Sequence, residues 1–245
     1  TKGSVRIHEQ HLGFKHQPHG ILRNARLRKH LHPAGQFSHD WMHILAVAGI
    51  LHIVMYERLA LFDVNGMHWY TVHGFCRLWF SPFAMGSGTA NVVDVLSVHR
   101  VAEYKSQKGK NKTVKCQASQ TVSLLPLIAM YACMVVMPNA AAGSDVEAVC
   151  KVLISLWQVV ELLQAAPRGV VRPAQLLRAI EEFLELFHAT FGPRRMVSKF
   201  HVLLHLADEL ERFKAMLTCW VHERKHRMVR EWCDGMRNTT QFERW

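Results

Sequence analysis

Between Val146 and Phe191 the apolar residues recur twice over at the period of an α-helix, and this limits what most of the chain can become. Val146, Val149, Val152, Leu153, Leu156, Trp157, Val160 and Leu163 form one stripe, and Leu176, Ile180, Phe183, Leu184, Phe187 and Phe191 form a second. Pro167 and Gly169 separate the two, and Gly192-Pro193 closes the second. Helices with one apolar face must be covered by other elements. From Asp40 to about Phe62 the pattern predicts one continuous helix, with Ser38 or Asp40 as N-cap and Asn65-Gly66 as stop. Thr121 to Met137 is almost wholly apolar, but it is a residue or two short of a membrane span and contains Pro126. It reads as a buried core helix.

The remaining stretches are less regular. Residues 64–90 mix Trp69, Tyr70, Phe75, Trp79, Phe80 and Phe83 with Gly, Ser and Pro, which predicts turns. One or two strands are expected between Val64 and Val122. Residues 1–39 are basic, rich in His, and punctuated by Pro18-His19-Gly20 and Pro33-Ala34-Gly35. The expected organisation is a basic irregular lead-in over 1–39 and a mainly helical domain over 40–245. The fold class is mainly α, a helical bundle.

A chain of 245 residues with 49% hydrophobic content can bury a full core. Lys and Arg outnumber Asp and Glu by 30 to 19, giving +11 before any of the seventeen histidines is counted. Such an excess favours a polyanionic partner such as nucleic acid, the alternative being a solvated basic surface. Cys76, Cys116, Cys133, Cys150, Cys219 and Cys233 are scattered without a C-x-x-C pair, which suits a reducing compartment. The sequence opens at Thr1 with no apolar signal segment, and is expected to be a piece of a longer protein.

Three groups of residues carry candidate chemistry. Asp40 and His43 are spaced by three and His201 and His205 by four, so each pair shares a helix face. Together they make a candidate four-ligand set for Zn²⁺ or a similar divalent ion. Three i,i+4 histidine pairs occur (His39/His43, His201/His205, His222/His226), where chance predicts about one. Surface or hydrogen-bonded core histidines are the other explanation. Glu223 lies on one helix face with His226 and Arg230, either as a carboxylate able to hold Mg²⁺ or as part of a salt-bridged surface helix. Finally, Lys105, Lys108, Lys110, Lys112 and Lys115 crowd a Gly- and Asn-containing loop suited to phosphate contacts, or simply solvated.

Several of these segments, in this order, resemble a known family. His11-Leu-Gly-Phe14, Pro18-His-Gly-Ile-Leu22, Leu27, Pro33 and His39-Asp-Trp-Met-His43 are similar to eukaryotic DDE-type cut-and-paste transposases of the CACTA and KDZ kind. Lys199-Phe200-His201 through His205, and then His222-Glu-Arg-Lys-His226, resemble family segments that read roughly K-F-H-x-L-x-H and F-E-x-K-H. Val114 through Pro126 resembles a third, so the likeness covers most of the chain.

The resemblance implies an RNase H-like catalytic core in which two aspartates and one glutamate hold Mg²⁺ for strand cleavage and transfer. This chain would supply the helical insertion and the last catalytic helix. Glu223 would be the third acid. Asp40, His43, His201 and His205 would be structural or Zn²⁺-binding. The implied partner is transposon-end DNA in the nucleus, with a homo-oligomer conceivable and no membrane. DNA contacts would fall on the lysine loop and on Arg224, Lys225, Arg227 and Arg230.

Two departures stand out. Residues 1–39 contain no aspartate and only Glu9 as an acid, and Gln120 stands where relatives often carry glutamate. The expectation is a fragment inactive alone, catalytic only if an upstream region supplies two aspartates. The alternatives are a non-catalytic helical DNA-binding or scaffold module, and a self-contained metal-dependent hydrolase whose acids and histidines converge.

Overall fold

The computed structural model describes residues 24–30, 38–64, 66, 68–79, 93–108 and 112–216. The chain divides into two units, residues 1–38 and 39–245. In the first, a single turn of helix, α1 (Ala25–Arg28), begins where the Asn24 side chain accepts a 3.0 Å hydrogen bond from the Arg26 amide.

In the second unit all regular structure among the described residues is helical. It comprises α2 (Trp41–Leu45), α3 (Ile50–Val64), α4 (Trp69–Trp79), α5 (Val98–Lys105), α6 (Ala118–Tyr131), α7 (Asp145–Ala165), α8 (Pro173–Phe191) and α9 (Ser198–Phe213). The fold is thus mainly α. No strand occurs in the described part of Val64 to Val122. The aromatic segment forms α4 because Trp69, Val72 and Cys76, at i, i+3 and i+7, bury one helix face.

The two sequence stripes become α7 and α8. Ser144 caps α7 by accepting from the Glu147 amide, and Pro173 occupies the first turn of α8. Between them Gly169 adopts φ 71°, a left-handed conformation that glycine reaches without penalty. The pair packs as a helical hairpin, and α7 also packs on α3 and α6, so it is the helix most fully enclosed by others. Phe183 and Phe187 of α8 hold α9 through Phe200, with ring centroids 6.1 and 4.5 Å away. The apolar segment around Pro126 is α6, which runs on through a π-helical stretch, Ala132–Val136. The spans Trp41–Asp63 and Ala118–Asn139 are long and apolar enough to cross a membrane. Here 67% and 50% of their most apolar windows are buried inside the fold.

The predicted continuous helix from Asp40 to Phe62 is broken at Ala46–Gly49. Ala48 has φ 45°, and a Cβ on Gly49 would lie 2.2 Å from the Ile44 carbonyl oxygen, so only glycine fits the turn. After the break, His52 and Arg58 of α3 are buried. The Thr121 hydroxyl donates to the Gln117 carbonyl at 3.0 Å, which leaves its oxygen to accept from His52 Nε2–H at 2.7 Å. Burial, with a smaller effect from the Lys199 charge, pushes the His52 pKa down to about 4. The imidazole is therefore held neutral.

Arg58 is fully buried, and Nε, Nη1 and Nη2 have no hydrogen-bond partner among the described residues. Its guanidinium lies 5.7 Å from the Phe191 ring centroid. Burial draws its pKa down to about 9, against the opposing pull of Cys150 and Glu57. A desolvated charge of this kind costs several kcal/mol that a ring face only partly returns.

Two stability measurements follow. In urea titrations Arg58→Met is expected to raise stability by about 1–4 kcal/mol, since an apolar side chain of similar length removes the desolvation cost. A loss would mean that the guanidinium is compensated. For His52 the folded pKa lies below the unfolded one, so the unfolded chain binds more protons between them. Its contribution is fully present above the usual 6.5 and is lost as pH falls through about 4. The loss should approach about 3 kcal/mol, and His52→Gln should flatten that limb of the stability profile.

Candidate functional site

The two motifs that stand furthest apart in sequence meet where α2 packs against α9. Asp40 is the N-cap of α2. One carboxylate oxygen accepts from the Met42 amide at 3.0 Å and the other faces Nδ1 of His43. One residue earlier, the His39 amide donates to Glu209 Oε2 at 2.9 Å, and His39 Nδ1 meets Oε1 of the same carboxylate. Glu209 is only 4% exposed, so both oxygens of a buried acid are satisfied by one residue 170 positions away.

The histidines of α9 continue the junction. His205 stacks on His39 with ring centroids 5.9 Å apart and planes 14° apart, and His201 meets His205 edge-on at 5.0 Å. On the adjoining side of α9, Lys199 Nζ donates to the carbonyls of His43 (2.8 Å), Val47 (2.7 Å) and Ala48 (3.3 Å). These oxygens belong to the last turn of α2 and the break after it, where a helix leaves its acceptors unpaired and where positive charge is favoured. Burial lowers the Lys199 pKa.

The structure thus brings His201 and His205 to the segment that carries Asp40 and His43, but the four do not form a cage. Among the described residues no three His, Cys, Asp or Glu side chains converge on a point where a metal could sit. Asp40 is engaged with its own helix, and the α9 histidines meet rings. The contacts that join the motifs come from His39, Glu209 and Lys199. Glu209 was accessible to sequence reasoning, because it follows His201 and His205 at the same four-residue spacing. Glu223 lies outside the described residues, as do Arg224, Lys225, Arg227 and Arg230. Gln120 completes a reciprocal capping box with Gln117 at the start of α6, a structural role for that side chain.

The lysine loop between α5 and α6 is the second candidate surface. The Gln107 side chain closes its base, donating to the Thr113 carbonyl at 2.6 Å and accepting from the Thr113 amide at 3.2 Å. The Lys115 carbonyl accepts from Arg100 Nη2 at 2.7 Å and from the Tyr104 hydroxyl at 3.1 Å. Lys108 and Lys115 are exposed and Lys112 is half-buried, while Lys110 lies outside the described residues. Lys105 differs from the rest. Its ammonium is 2.5 Å from Asp63 Oδ2 and 5.9 Å from the Trp69 ring centroid, and the ammonium holds the Asp63 carboxyl below the usual carboxylate range.

A cleft of about 740 Å³ also opens between α7 and α8, lined by Trp157, Glu161, Arg172, Arg178 and Glu182. Its charges are balanced and Trp157 Nε1 donates to Glu161 at 3.0 Å, so it presents no convergent polar set.

Comparison of the chain with protein families, with curated proteins and with solved structures finds no match.

Replacing Lys199 with Met should cost about 1–2 kcal/mol, because the carbonyls at the α2 break then fall back on water. A thermal melt that did not move would show the ammonium to be dispensable there.

Proposed function

We propose that the chain is a helical DNA-binding portion of a DDE-type cut-and-paste transposase, acting on transposon-end DNA in the nucleus. The observation that supports this best is the lysine loop. A flexible lysine run would spread its charge, whereas the Gln107–Thr113 bracket draws together the backbone beside Lys108 and Lys112, and Arg100 and Tyr104 anchor the Lys115 carbonyl. Closely set cations displace condensed counterions from a phosphate backbone, which is the main source of affinity in sequence-independent DNA binding.

The family resemblance adds the finer part of the proposal. The bundle corresponds to the helical insertion of the RNase H-like core, and Glu223 to the third carboxylate for Mg²⁺ in the assembled enzyme. A second reading draws on the α2–α9 junction. Since Asp40 caps a helix and Glu209 clamps His39, the motif residues serve architecture well without any Zn²⁺ or chemistry. On that reading the same surface belongs to a non-catalytic DNA-binding or scaffold module.

The transposase reading and the DNA-binding form of the second require salt-sensitive DNA binding, which a pure scaffold does not. Fluorescence anisotropy with a labelled duplex should give an affinity that falls steeply with salt. Changing Lys108, Lys112 and Lys115 together to Gln should reduce the log–log slope by roughly 0.9 for each phosphate that the protein no longer neutralises. A flat salt dependence, or an unchanged slope in the triple variant, would remove the loop from the interface.

A further inference from the structure

The exposed side of α4 carries a set of groups that neither the core nor the lysine loop accounts for. Trp69, Val72 and Cys76 turn inward, which leaves Tyr70, Thr71, Gly74, Arg77 and Leu78 on the opposite side. Tyr70 is 64% exposed, an unusual position for an aromatic ring of that size. It is also held in place: His68 stacks beneath it, with ring centroids 5.3 Å apart and planes 21° apart.

Gly74 is the second unusual feature. Short of proline, glycine is the least favourable residue in a helix interior. A Cβ at Gly74 would meet no atom of the described residues within 4 Å, so neither their packing nor the backbone conformation calls for glycine. One turn beyond Tyr70 it leaves the helix flat, open to close approach from outside.

Among the described residues, lysine and arginine outnumber carboxylates around this platform. The sequence of α4 contains no carboxylate but includes His73 and Arg77. At its N-terminal end Asp63 faces both Lys105 (2.5 Å) and His68 (3.4 Å), so that acid is already engaged. The same Lys105 ends α5, where the lysine loop begins, and Asp63 therefore links the loop to the platform. On the other side, Asp94 is the carboxylate whose charge reaches His73.

We infer that the α4 face binds single-stranded DNA, with an unpaired base stacking on Tyr70, the strand lying close over Gly74, and Arg77 and the lysine loop holding phosphates. An oriented exposed ring beside a cationic track is how proteins hold single strands without reading sequence. Duplex DNA keeps its bases stacked on one another and offers Tyr70 only backbone. The inference rests on the DNA-binding reading above and specifies the form of DNA.

The test uses the full chain at fixed salt, with fluorescein-labelled oligo-dT of roughly 20 nucleotides and a duplex of the same length. The oligonucleotide should bind more tightly than the duplex. Tyr70→Ala should weaken oligonucleotide binding about tenfold and duplex binding less than twofold, and Tyr70→Phe should restore it. Gly74→Leu should also weaken the oligonucleotide complex while leaving the melting temperature unchanged or higher, which separates a binding defect from a folding defect. Equal losses on both DNAs, or no loss on either, would overturn the inference even if steep salt dependence upheld DNA binding itself. A change in oligomeric state with Tyr70→Ala in sedimentation would assign the face to a second copy of the chain and overturn it as well. Absence of all DNA binding would defeat both proposals together.

Discussion

The enclosure of α7 is the constraint on which the rest of the bundle depends. Val149, Val152, Leu153, Leu156, Val159, Val160 and Leu163 are all buried, and they take in more of the helix circumference than one neighbour can cover. The α8 helix takes one side because a short turn returns it there. The others fall to α3 and α6, which are themselves apolar over most of their length and would be poorly covered without α7. Burial on this scale also explains why α3 and α6 resemble membrane spans in composition. A helix surrounded by helices and a helix surrounded by lipid face the same requirement for apolar side chains.

Around that centre the polar groups divide by what they do. Glu209 and Lys199 work on backbone: one receives the amide that precedes α2, and the other donates to the carbonyls that follow it. A five-residue helix cannot stabilise itself, so α2 is held from both ends by a helix that comes much later in the chain. The lysine loop is built the other way, with its backbone bracketed by Gln107 and the Lys108 and Lys115 side chains left towards solvent. The D-x-x-H and H-x3-H spacings therefore mark where two segments meet, whatever further chemistry the transposase reading assigns to them.

The parts of this fold that the sequence makes legible are those whose causes are local. The α7–α8 hairpin declares itself by its stripes and by Pro167, Gly169 and Gly192, all within a few residues of the features they explain. The break after α2 does not. Ile44 through Ala48 continue the apolar run, Gly49 is the only cue, and the group that captures the freed carbonyls is Lys199. Likewise α4 reads as turn or strand because aromatic residues and glycine suit both, and only the burial of Trp69, Val72 and Cys76 decides for helix. At the candidate site the two spacings fall on segments that pack together, but ligand type alone could not tell that Asp40 caps its own helix.

The α2–α9 closure also has a consequence for the order of events during synthesis. The hairpin of α7 and α8 forms from contacts within about 45 residues and can collapse early, whereas the pairing of His39 with Glu209 spans 170 residues and Lys199 reaches back 156 to His43. A ribosome extending the chain from its N-terminus delivers α2 and α3 long before their partner exists. Until α9 emerges, the apolar side of Trp41, Met42, Ile44 and Leu45 lacks the late helix that covers it. Throughout synthesis of the 156 residues from His43 to Lys199 the nascent chain therefore carries an adhesive surface, and its yield in a cell depends on whatever shields that surface in the meantime.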